Sequence, residues 1–498
     1  MDLDRDACYR ALLVRDARFD GRFFTAVLST GIYCRPICPA RPPKIENCLF
    51  LPSAAAAHAA GFRPCLRCRP EVSPELPAWR GTSSTVSRAL ALIADGALDG
   101  AGVEELAGRL GVGGRHLRRL FDRHVGVSPL AVARTRRVLF AKKMIDETSL
   151  SMTEVALAAG FASLRRFNDV MRRTYDGPPR ALRCKRAAGD ADADAVGVAL
   201  KLPFAPPYNW DALVAFLAPR AIPGVEAVGP GHYRRSIEFD GVPGIVEVRP
   251  VAKCNHLAAT IRISRVTALA AIVARLRRLF DLDANTGEIA AHLGRDEHLA
   301  AAVSSLPGLR IAGAWDGFEL AVRAILGQQV SVAGATTLVG RLVAAHGAPL
   351  ALDGACAIRS GLGFVFPRPE ALADADLTTI GLPRARAAAI SSLAAAVADD
   401  KDFLTAFTGL DEAVERLRRL PGVGEWTAQY IAMRALREPD AFPASDLGLL
   451  RAVAVDGTRP TPARLLQSAE AWRPWRAYAA MYLWMAGSTP QPAMERTA

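Results

Sequence analysis

The sequence predicts a multidomain protein: a small α+β domain, an all-α domain, an α+β subdomain and a second all-α domain. Its 498 residues exceed what one hydrophobic core normally organises, so several domains are expected. Residues 185–198 are small and poor in large apolar side chains, which is typical of a linker. The apolar pattern is helical over 82–184, alternating from Leu200, and helical again from about Asp316.

These patterns also set the expected boundaries. The alternating stretches Ile245–Val248 and Leu257–Ile263 predict strands of the α+β subdomain. Two prolines between residues 70 and 79 favour a break between the first two domains. On either side of the linker, the four regions are expected at 1–78, 82–184, 199–300 and 301–498.

Positive charge is concentrated in the first part of the chain. The whole chain has a formal net charge of +12, and residues 1–190 hold 31 Lys and Arg against 19 Asp and Glu. Such an excess favours contact with a polyanion, so double-stranded DNA is the expected partner. No signal peptide, long apolar span or convincing amphipathic membrane helix is found. We therefore expect a cytoplasmic, nucleoid-associated protein without membrane contact, and a monomer.

Four cysteines have the spacing of a metal site. Cys34 and Cys38 lie in GIYCRPICPARPP, and Cys65 and Cys68 lie in GFRPCLRCRP. Four thiolates in this CxxxC and CxxC arrangement are suited to one tetrahedral zinc ion. Disulfides, or reactive and unpaired thiols, are the alternatives, and nine cysteines are ordinary for a reducing compartment. Cys8 and Cys48 lie outside this spacing and are expected to be core residues. The prediction is therefore one zinc ion held by the other four cysteines, Cys34, Cys38, Cys65 and Cys68.

The residues around the quartet resemble the N-terminal domain of the Ada family, regulators of the bacterial response to DNA methylation. The resemblance covers about residues 5–72, with TGIYCRP and FRPCxRC in order. It implies that Cys34 accepts a methyl group from a phosphotriester of the DNA backbone, with zinc both structural and catalytic. Zinc coordination keeps sulfur deprotonated and nucleophilic at neutral pH. A purely structural zinc remains the alternative.

Arginines flank the quartet and are candidates for phosphate contacts. Methyl transfer would change the formal charge of a zinc–tetrathiolate site from −2 to −1, which weakens repulsion of DNA phosphates and favours tighter DNA binding. A solvated basic face is the alternative interpretation of these side chains. The candidates are Arg35, Arg41, Arg63, Arg67 and Arg69.

Residues 103–128 and 152–178 both have the pattern helix, glycine-containing turn, arginine-rich helix. Paired units of this kind resemble the AraC family of transcription activators, which implies promoter DNA and RNA polymerase as partners. Apolar residues at helical spacing are expected in the core: Leu106, Leu110, Leu117 and Phe121. The expected DNA-facing residues are Arg115, His116, Arg118, Arg119, Ser163, Arg165, Arg166 and Asn168.

The second half contains a helix-hairpin-helix pattern at 417–435. Gly422 and Gly424, in LPGVG, permit a tight turn whose backbone N–H groups can face a DNA phosphate. By itself this pattern identifies only non-specific backbone binding. Asp446 follows about twenty residues later, after a proline-containing turn and at the start of a predicted helix. It is therefore a candidate catalytic carboxylate, with a helix cap as the alternative.

A hairpin followed by such an aspartate resembles the helix-hairpin-helix DNA glycosylases. The resemblance covers about residues 199–487 and is closest to the AlkA-type 3-methyladenine DNA glycosylase II family. It implies that Asp446 stabilises an oxocarbenium-like sugar and helps to orient or deprotonate the attacking water. It also implies an aromatic pocket for a flipped cationic base. The residues at the pocket positions are Trp426, Trp484, Tyr430 and Phe216, for which core packing is the alternative.

Four departures from relatives refine this expectation. Trp426 stands where bifunctional members carry a lysine nucleophile, so lyase activity is not expected. No cysteine follows Cys356, so the C-terminal iron–sulfur cluster of several relatives is absent. Gln329 replaces the apolar residue that wedges into the gap left by a flipped base. Met485 stands where an aromatic residue might be expected after Trp484, so the pocket wall is expected to differ.

The combined prediction is a chain that senses DNA alkylation, activates transcription and excises alkylated bases. The alkylguanine transferase motif PCHR, which often follows the regulator domains, is missing, and the glycosylase occupies its place. Two alternatives remain at this point. One is a transcription regulator with an inactive glycosylase half, and the other is a glycosylase whose zinc domain only targets DNA.

Overall fold

The N-terminal domain is a small α+β unit. The computed structural model describes residues 4–73, 84–183, 197–350, 361–405, 407, 409–455 and 457–488. A four-stranded sheet has the order β3-β1-β2-β4, in which only the β2–β4 pair is parallel. Phe24, Ala26, Tyr33 and Ala57 form a small core between this sheet and a short helix. Its elements are α1 (Arg5–Leu13), β1 (Phe24–Val27), β2 (Ile32–Cys34), β3 (Cys48–Leu51), α2 (Ala54–Ala59) and β4 (Arg63–Pro64).

The second domain is helical throughout its described residues, as predicted. Each expected pair of helices is present, with Gly111 and Gly160 at positive φ in the turns. The four predicted core residues of the first unit are completely buried. The helices are α3 (Ser84–Ala94), α4 (Val103–Arg109), α5 (Gly114–His124), α6 (Pro129–Glu147), α7 (Met152–Ala158) and α8 (Leu164–Tyr175).

The α+β subdomain is built on an antiparallel five-stranded sheet of order β5-β9-β8-β7-β6. The two predicted strands lie inside β8 and β9 and are confirmed. Val198 already pairs with Ile261, so the strand begins at the edge of the predicted linker, most of which lies outside the described residues. The elements are β5 (Val198–Pro203), α9 (Trp210–Leu217), β6 (Glu226–Gly229), β7 (His232–Phe239), β8 (Val242–Pro250) and β9 (His256–Ile263).

The rest of the chain is mainly helical, and its helices begin earlier than predicted. Helices resume at Leu269 and not near Asp316, because Leu269, Ile272 and Leu276 give one buried helical face. A short two-stranded antiparallel sheet also lies among the helices. The elements are α10 (Leu269–Leu279), α11 (Thr286–Leu293), α12 (Glu297–Ser305), α13 (Gly317–Leu326), α14 (Val332–His346), β10 (Ala348–Pro349), β11 (Phe364–Val365), α15 (Pro369–Ala373), α16 (Arg384–Asp399), α17 (Leu410–Arg418), α18 (Glu425–Arg434), α19 (Leu447–Ala452), α20 (Pro462–Ser468) and α21 (Arg476–Ser488).

The two halves of the chain share a core. Met144 and Ile145 of α6 belong to the same buried cluster as Leu200 and Leu202 of β5. Ion pairs also join the halves, including the two-pronged contact of Arg109 with Asp402 at 2.8–3.0 Å. The N-terminal half of the chain therefore packs directly on the C-terminal half. Among the described helices, none is both long and apolar enough to cross a membrane.

Candidate functional site

The four predicted cysteines lie together. Cys34 ends β2, and Cys65 follows β4 and donates its N–H to Tyr33 O at 3.0 Å. All four Sγ atoms lie within 4.8 Å of one another. Zinc–sulfur bonds of about 2.3 Å in a tetrahedron place sulfur atoms about 3.8 Å apart, so the quartet fits zinc with small adjustments. Cys34 is the least buried residue of the four, and it lines a cleft together with Cys38 and Cys65.

Hydrogen bonding within the quartet acts in opposite directions on its four thiols. The contact with Cys34 lowers the pKa of Cys38 to about 7 and holds the pKa of Cys65 well below its ordinary value, whereas the contact with Cys38 holds the pKa of Cys34 well above it. The pKa of Cys68 is also raised, although its contact with Cys34 acts to lower it. The Arg35 N–H donates to Cys68 Sγ at 3.3 Å. Because all four ligands of a metal must be deprotonated, a bound cation would be needed to hold Cys34 and Cys68 as thiolates.

Two of the predicted phosphate-binding arginines have other partners. Arg35 is 8% exposed, and its guanidinium binds Asp20 and Cys68 O. This placement corrects the prediction, because the side chain is turned into the domain and fixes the loop of the quartet. Arg69 pairs with Glu71 and Asp146. The exposed side chains are those of Arg41, Arg63 and Arg67, and they line a cleft of about 500 Å³ beside Cys34.

The second helix of each helix-turn-helix unit is arginine-rich and exposed. Arg115, Arg118, Arg119, Arg165 and Arg166 are all exposed, with Arg118 bound to Glu104 at 2.9 Å. Ser163 has a structural role that the sequence argument missed, because its hydroxyl accepts the Arg166 N–H and caps α8.

The hairpin between α17 and α18 is tied to the loop before α14. Gly422 has φ +75°, and Gly424 is the exposed N-cap of α18. Gln328 Nε2 donates to Gly422 O and to Thr427 Oγ1, both at 2.9 Å. Gln329 is exposed next to it with φ +57°, a left-handed conformation that is uncommon outside glycine. The hairpin and the loop therefore form one surface. Gln328 joins them, and the sequence did not predict this role.

Asp446 is held by three N–H donors. As the N-cap of α19, its Oδ1 accepts from Leu449 N at 3.0 Å and from Trp484 Nε1 at 2.9 Å. Its Oδ2 accepts from Trp426 Nε1 at 2.9 Å. The helix-cap interpretation is therefore correct and compatible with a chemical role, because Oδ2 keeps a further acceptor position.

The predicted aromatic residues enclose one side of a cavity of about 300 Å³ that Asp446 also lines. Trp426 stacks on Tyr430 with ring centroids 5.3 Å apart, and Trp484 lies 6.1 Å from Tyr430. Phe216 differs from the other three, since it is 4% exposed and Arg220 lies 3.8 Å over its ring. Phe216 therefore supports Trp484, on which it stacks with ring centroids 6.1 Å apart. Its own face is covered by Arg220.

Three arginines of the cavity were missed by the sequence argument. Arg434 donates to Tyr430 Oη at 2.6 Å, and Arg220 and Arg323 lie nearby. Although burial acts to raise it, the pKa of Tyr430 is lowered by the charges of Arg434, Arg220 and Arg323. Arg220 lies more than two hundred residues from the hairpin, so no local motif could have connected it with the site.

The C-terminal half has a helix-hairpin-helix next to a carboxylate at an aromatic cavity, and the N-terminal half has paired helix-turn-helix units. Together these features indicate the class of protein: a DNA-binding regulator fused to a base-excision protein. Residues 7–71 match the metal binding domain of Ada and 106–185 a helix-turn-helix domain. Residues 199–316 match the AlkA N-terminal domain, and 322–477 match the HhH-GPD superfamily base excision DNA repair protein.

Relatives match both the whole chain and its parts. A Mycobacterium tuberculosis protein described as a probable bifunctional transcriptional activator/DNA repair enzyme AlkA is 45% identical over 97% of this chain and 96% of its own length. Escherichia coli DNA-3-methyladenine glycosylase 2 is 36% identical over 56% of this chain and 94% of its own. The structure of a 3-methyladenine DNA-glycosylase from Archaeoglobus fulgidus matches with TM-score 0.51 and 26% identity, covering 58% of this chain and 97% of that one. The chain belongs to the family of bifunctional transcriptional activator/DNA repair enzymes.

Proposed function

We propose that the C-terminal half hydrolyses the glycosidic bond of alkylated bases in DNA, 3-methyladenine among them. The observation that carries this proposal is Asp446, fixed by two indoles at an aromatic cavity. A base alkylated at a ring nitrogen is cationic and leaves readily, so the site needs aromatic faces and a carboxylate more than a strong acid. The name of the Escherichia coli relative, DNA-3-methyladenine glycosylase 2, supports the same substrate class.

Asp446 acts on the sugar in this proposal. As the C1′–N bond breaks, its electron pair returns to the base, and positive charge develops at C1′. The carboxylate stabilises that charge, and water then adds to C1′ while its proton passes to Oδ2 or to solvent. The three N–H donors keep the carboxylate in place without reorganisation. Trp426 replaces a lysine nucleophile, which supports a monofunctional enzyme without lyase activity.

The exposed hairpin and its attached loop bind the DNA around the flipped base in this proposal. Gly422 and Gly424 present backbone N–H groups to a phosphate. Gln329 enters the gap left by the base, a role supported by its exposure and its left-handed backbone. Since Gln329 is polar, it fills the gap less well than an apolar wedge and forms hydrogen bonds there instead.

The N-terminal half, we further propose, transfers a methyl group from a DNA phosphotriester to Cys34. The S–CH₃ bond forms, the O–CH₃ bond breaks, and the electron pair stays on the phosphate oxygen. Zinc held by the four cysteines supplies the positive charge that keeps them as thiolates. The position of Cys34 in a cleft next to exposed arginines supports this role. The methylated protein then activates transcription from promoter DNA together with RNA polymerase, as a cytoplasmic, nucleoid-associated monomer.

Two assays on the full-length protein test these proposals separately. Release of 3-methyladenine from alkylated DNA is measured for the wild type and for Asp446→Asn. Mass spectrometry of the Cys34 peptide after incubation with methylphosphotriester DNA measures transfer. Absence of base release would favour an inactive glycosylase half, and an unmodified Cys34 would favour a zinc domain used only for DNA targeting.

A further inference from the structure

The cleft beside Cys34 is not made by the zinc-binding domain alone. Thr25, Arg41 and Arg67 line it from that domain, while Thr174 and Tyr175 line it from the end of α8. The α8 helix belongs to the second helix-turn-helix unit, about a hundred residues further along the chain. One wall of the proposed methyl-acceptor site therefore comes from the transcription-regulator domain.

An ion pair links the two domains beside this cleft. Arg63 Nη1 lies 3.2 Å from Asp176 Oδ2, with 45% and 84% of the two side chains exposed. Asp176 ends α8 with φ +57°. Arg63 precedes the zinc-ligand Cys65 by two residues and is one of the three exposed cleft arginines. One exposed cation of the cleft is thus bound to a carboxylate of the helix-turn-helix domain.

We propose that the methyl-acceptor site is composite, and that Asp176 of the second helix-turn-helix unit is an electrostatic gate that holds Arg63 away from DNA phosphates. This inference rests on the proposed methyl transfer to Cys34. In this proposal a DNA phosphate must displace the Asp176 carboxylate before it can bind Arg63.

The charges of the reaction give the gate its effect. A methylphosphotriester is neutral, but the phosphates on either side of it are anions that compete with the Asp176 carboxylate for Arg63. Transfer of the methyl group to sulfur leaves the electron pair on the phosphate oxygen, so a new negative charge appears in the cleft. Arg63, once released from Asp176, neutralises it. An exposed ion pair of this kind is weak enough for a phosphate to compete with it.

The test compares Asp176→Asn with the wild type as full-length, zinc-containing protein. Asparagine keeps the size of the side chain and tolerates the left-handed backbone. We expect methyl transfer to Cys34 at sub-saturating DNA to become faster by about two- to fivefold, the effect of an exposed ion pair. DNA affinity should rise by a similar factor, because a phosphate no longer has to displace a carboxylate from Arg63.

A matched control is Asp240→Asn. Asp240 is also exposed with a positive φ of 44°, and it pairs with Arg265 at 2.6 Å with side-chain exposures of 80% and 40%. It lies between β7 and β8, far along the chain from the zinc-binding domain, and the substitution changes the net charge equally. Asp240→Asn should leave methyl transfer unchanged.

A second variant tests whether the gate acts through its partner. In an Arg63→Ala background, Asp176→Asn should no longer accelerate transfer. Equal acceleration by Asp176→Asn and Asp240→Asn, or acceleration that survives in the Arg63→Ala background, would overturn the gate. Unchanged transfer in Asp176→Asn would overturn it as well. If the wild type itself never methylates Cys34, the proposed function fails and the gate fails with it.

Discussion

The cysteine site and the aspartate site surround their reactive side chains in different ways. At the cysteine site, a partly exposed cysteine lies beside exposed arginines in a cleft of about 500 Å³. At the aspartate site, a carboxylate lies beside indoles and largely enclosed arginines in a cavity of about 300 Å³. The first suits a methyl group presented on the DNA surface, and the second suits a base taken out of the helix. We infer that two chemistries on one DNA-binding chain use different surroundings: exposed arginines beside a cysteine, and aromatic rings beside a carboxylate.

The largest expected effect separates the cap role of Asp446 from its chemical role. Asp446→Asn should lower base release by about a hundredfold or more, because a charge facing the developing cation is lost. DNA affinity should stay the same or increase slightly. The measurement is single-turnover release of 3-methyladenine.

A second helix cap serves as control for this variant. Asp316 caps α13 by accepting from Phe318 N and Glu319 N, and no indole hydrogen bond to it is described. Asp316→Asn should leave base release nearly unchanged. Equal losses in both variants would show that helix capping alone accounts for the effect.

The next effect tests the metal at the cysteine site. Cys65→Ser should remove most of the zinc from the protein, whereas wild type should contain about one zinc per chain, as expected for one tetrahedral site. Cys48→Ser is the control, because Cys48 is buried in the same domain but lies outside the quartet. Elemental analysis gives the answer, and equal zinc contents in the two variants would rule out the quartet.

A smaller effect tests the indole hydrogen bonds. Trp426→Phe keeps an aromatic face but removes the donor to Asp446 Oδ2, so base release should fall by about tenfold, the value of one hydrogen bond to a charged group. In the control Trp472→Phe, a comparable indole–carboxylate bond to Asp296 at 2.8 Å is lost elsewhere. That variant should be less stable but equally active per folded molecule. Equal activity of Trp426→Phe and wild type would show that the indole N–H is not used.

The smallest effect concerns DNA binding by the cysteine half. Methylation of Cys34 should tighten promoter binding by full-length protein several-fold at low salt, because the site loses one negative charge. The gain should shrink as salt rises, since screening acts over about 10 Å at 0.1 M. Titrations of methylated and unmethylated protein at several salt concentrations measure this. A gain independent of salt would mean that methylation acts through a change of conformation.

The same comparison shows what the sequence could predict. The cysteine quartet and both helix-turn-helix units are local in the chain, so spacing and helical pattern were enough to find them. Asp446 and the aromatic residues were found through the hairpin and a family resemblance. The inward turn of Arg35 and the arginines of the base cavity depend on distant packing against Asp20, Tyr430 and Phe216. The helices after Leu269 were missed because their alanine-rich pattern followed the strands without a clear break.

The most direct test of two separate chemistries on one chain is a crossed assay on DNA that carries both lesions. Asp446→Asn and Cys34→Ser are each incubated with this DNA as full-length proteins. We predict that Asp446→Asn methylates Cys34 at the wild-type rate and releases almost no base. Cys34→Ser should release base at the wild-type rate and remain unmethylated at position 34. Loss of both activities in either folded variant would contradict the account, because it would mean that the two sites do not act independently.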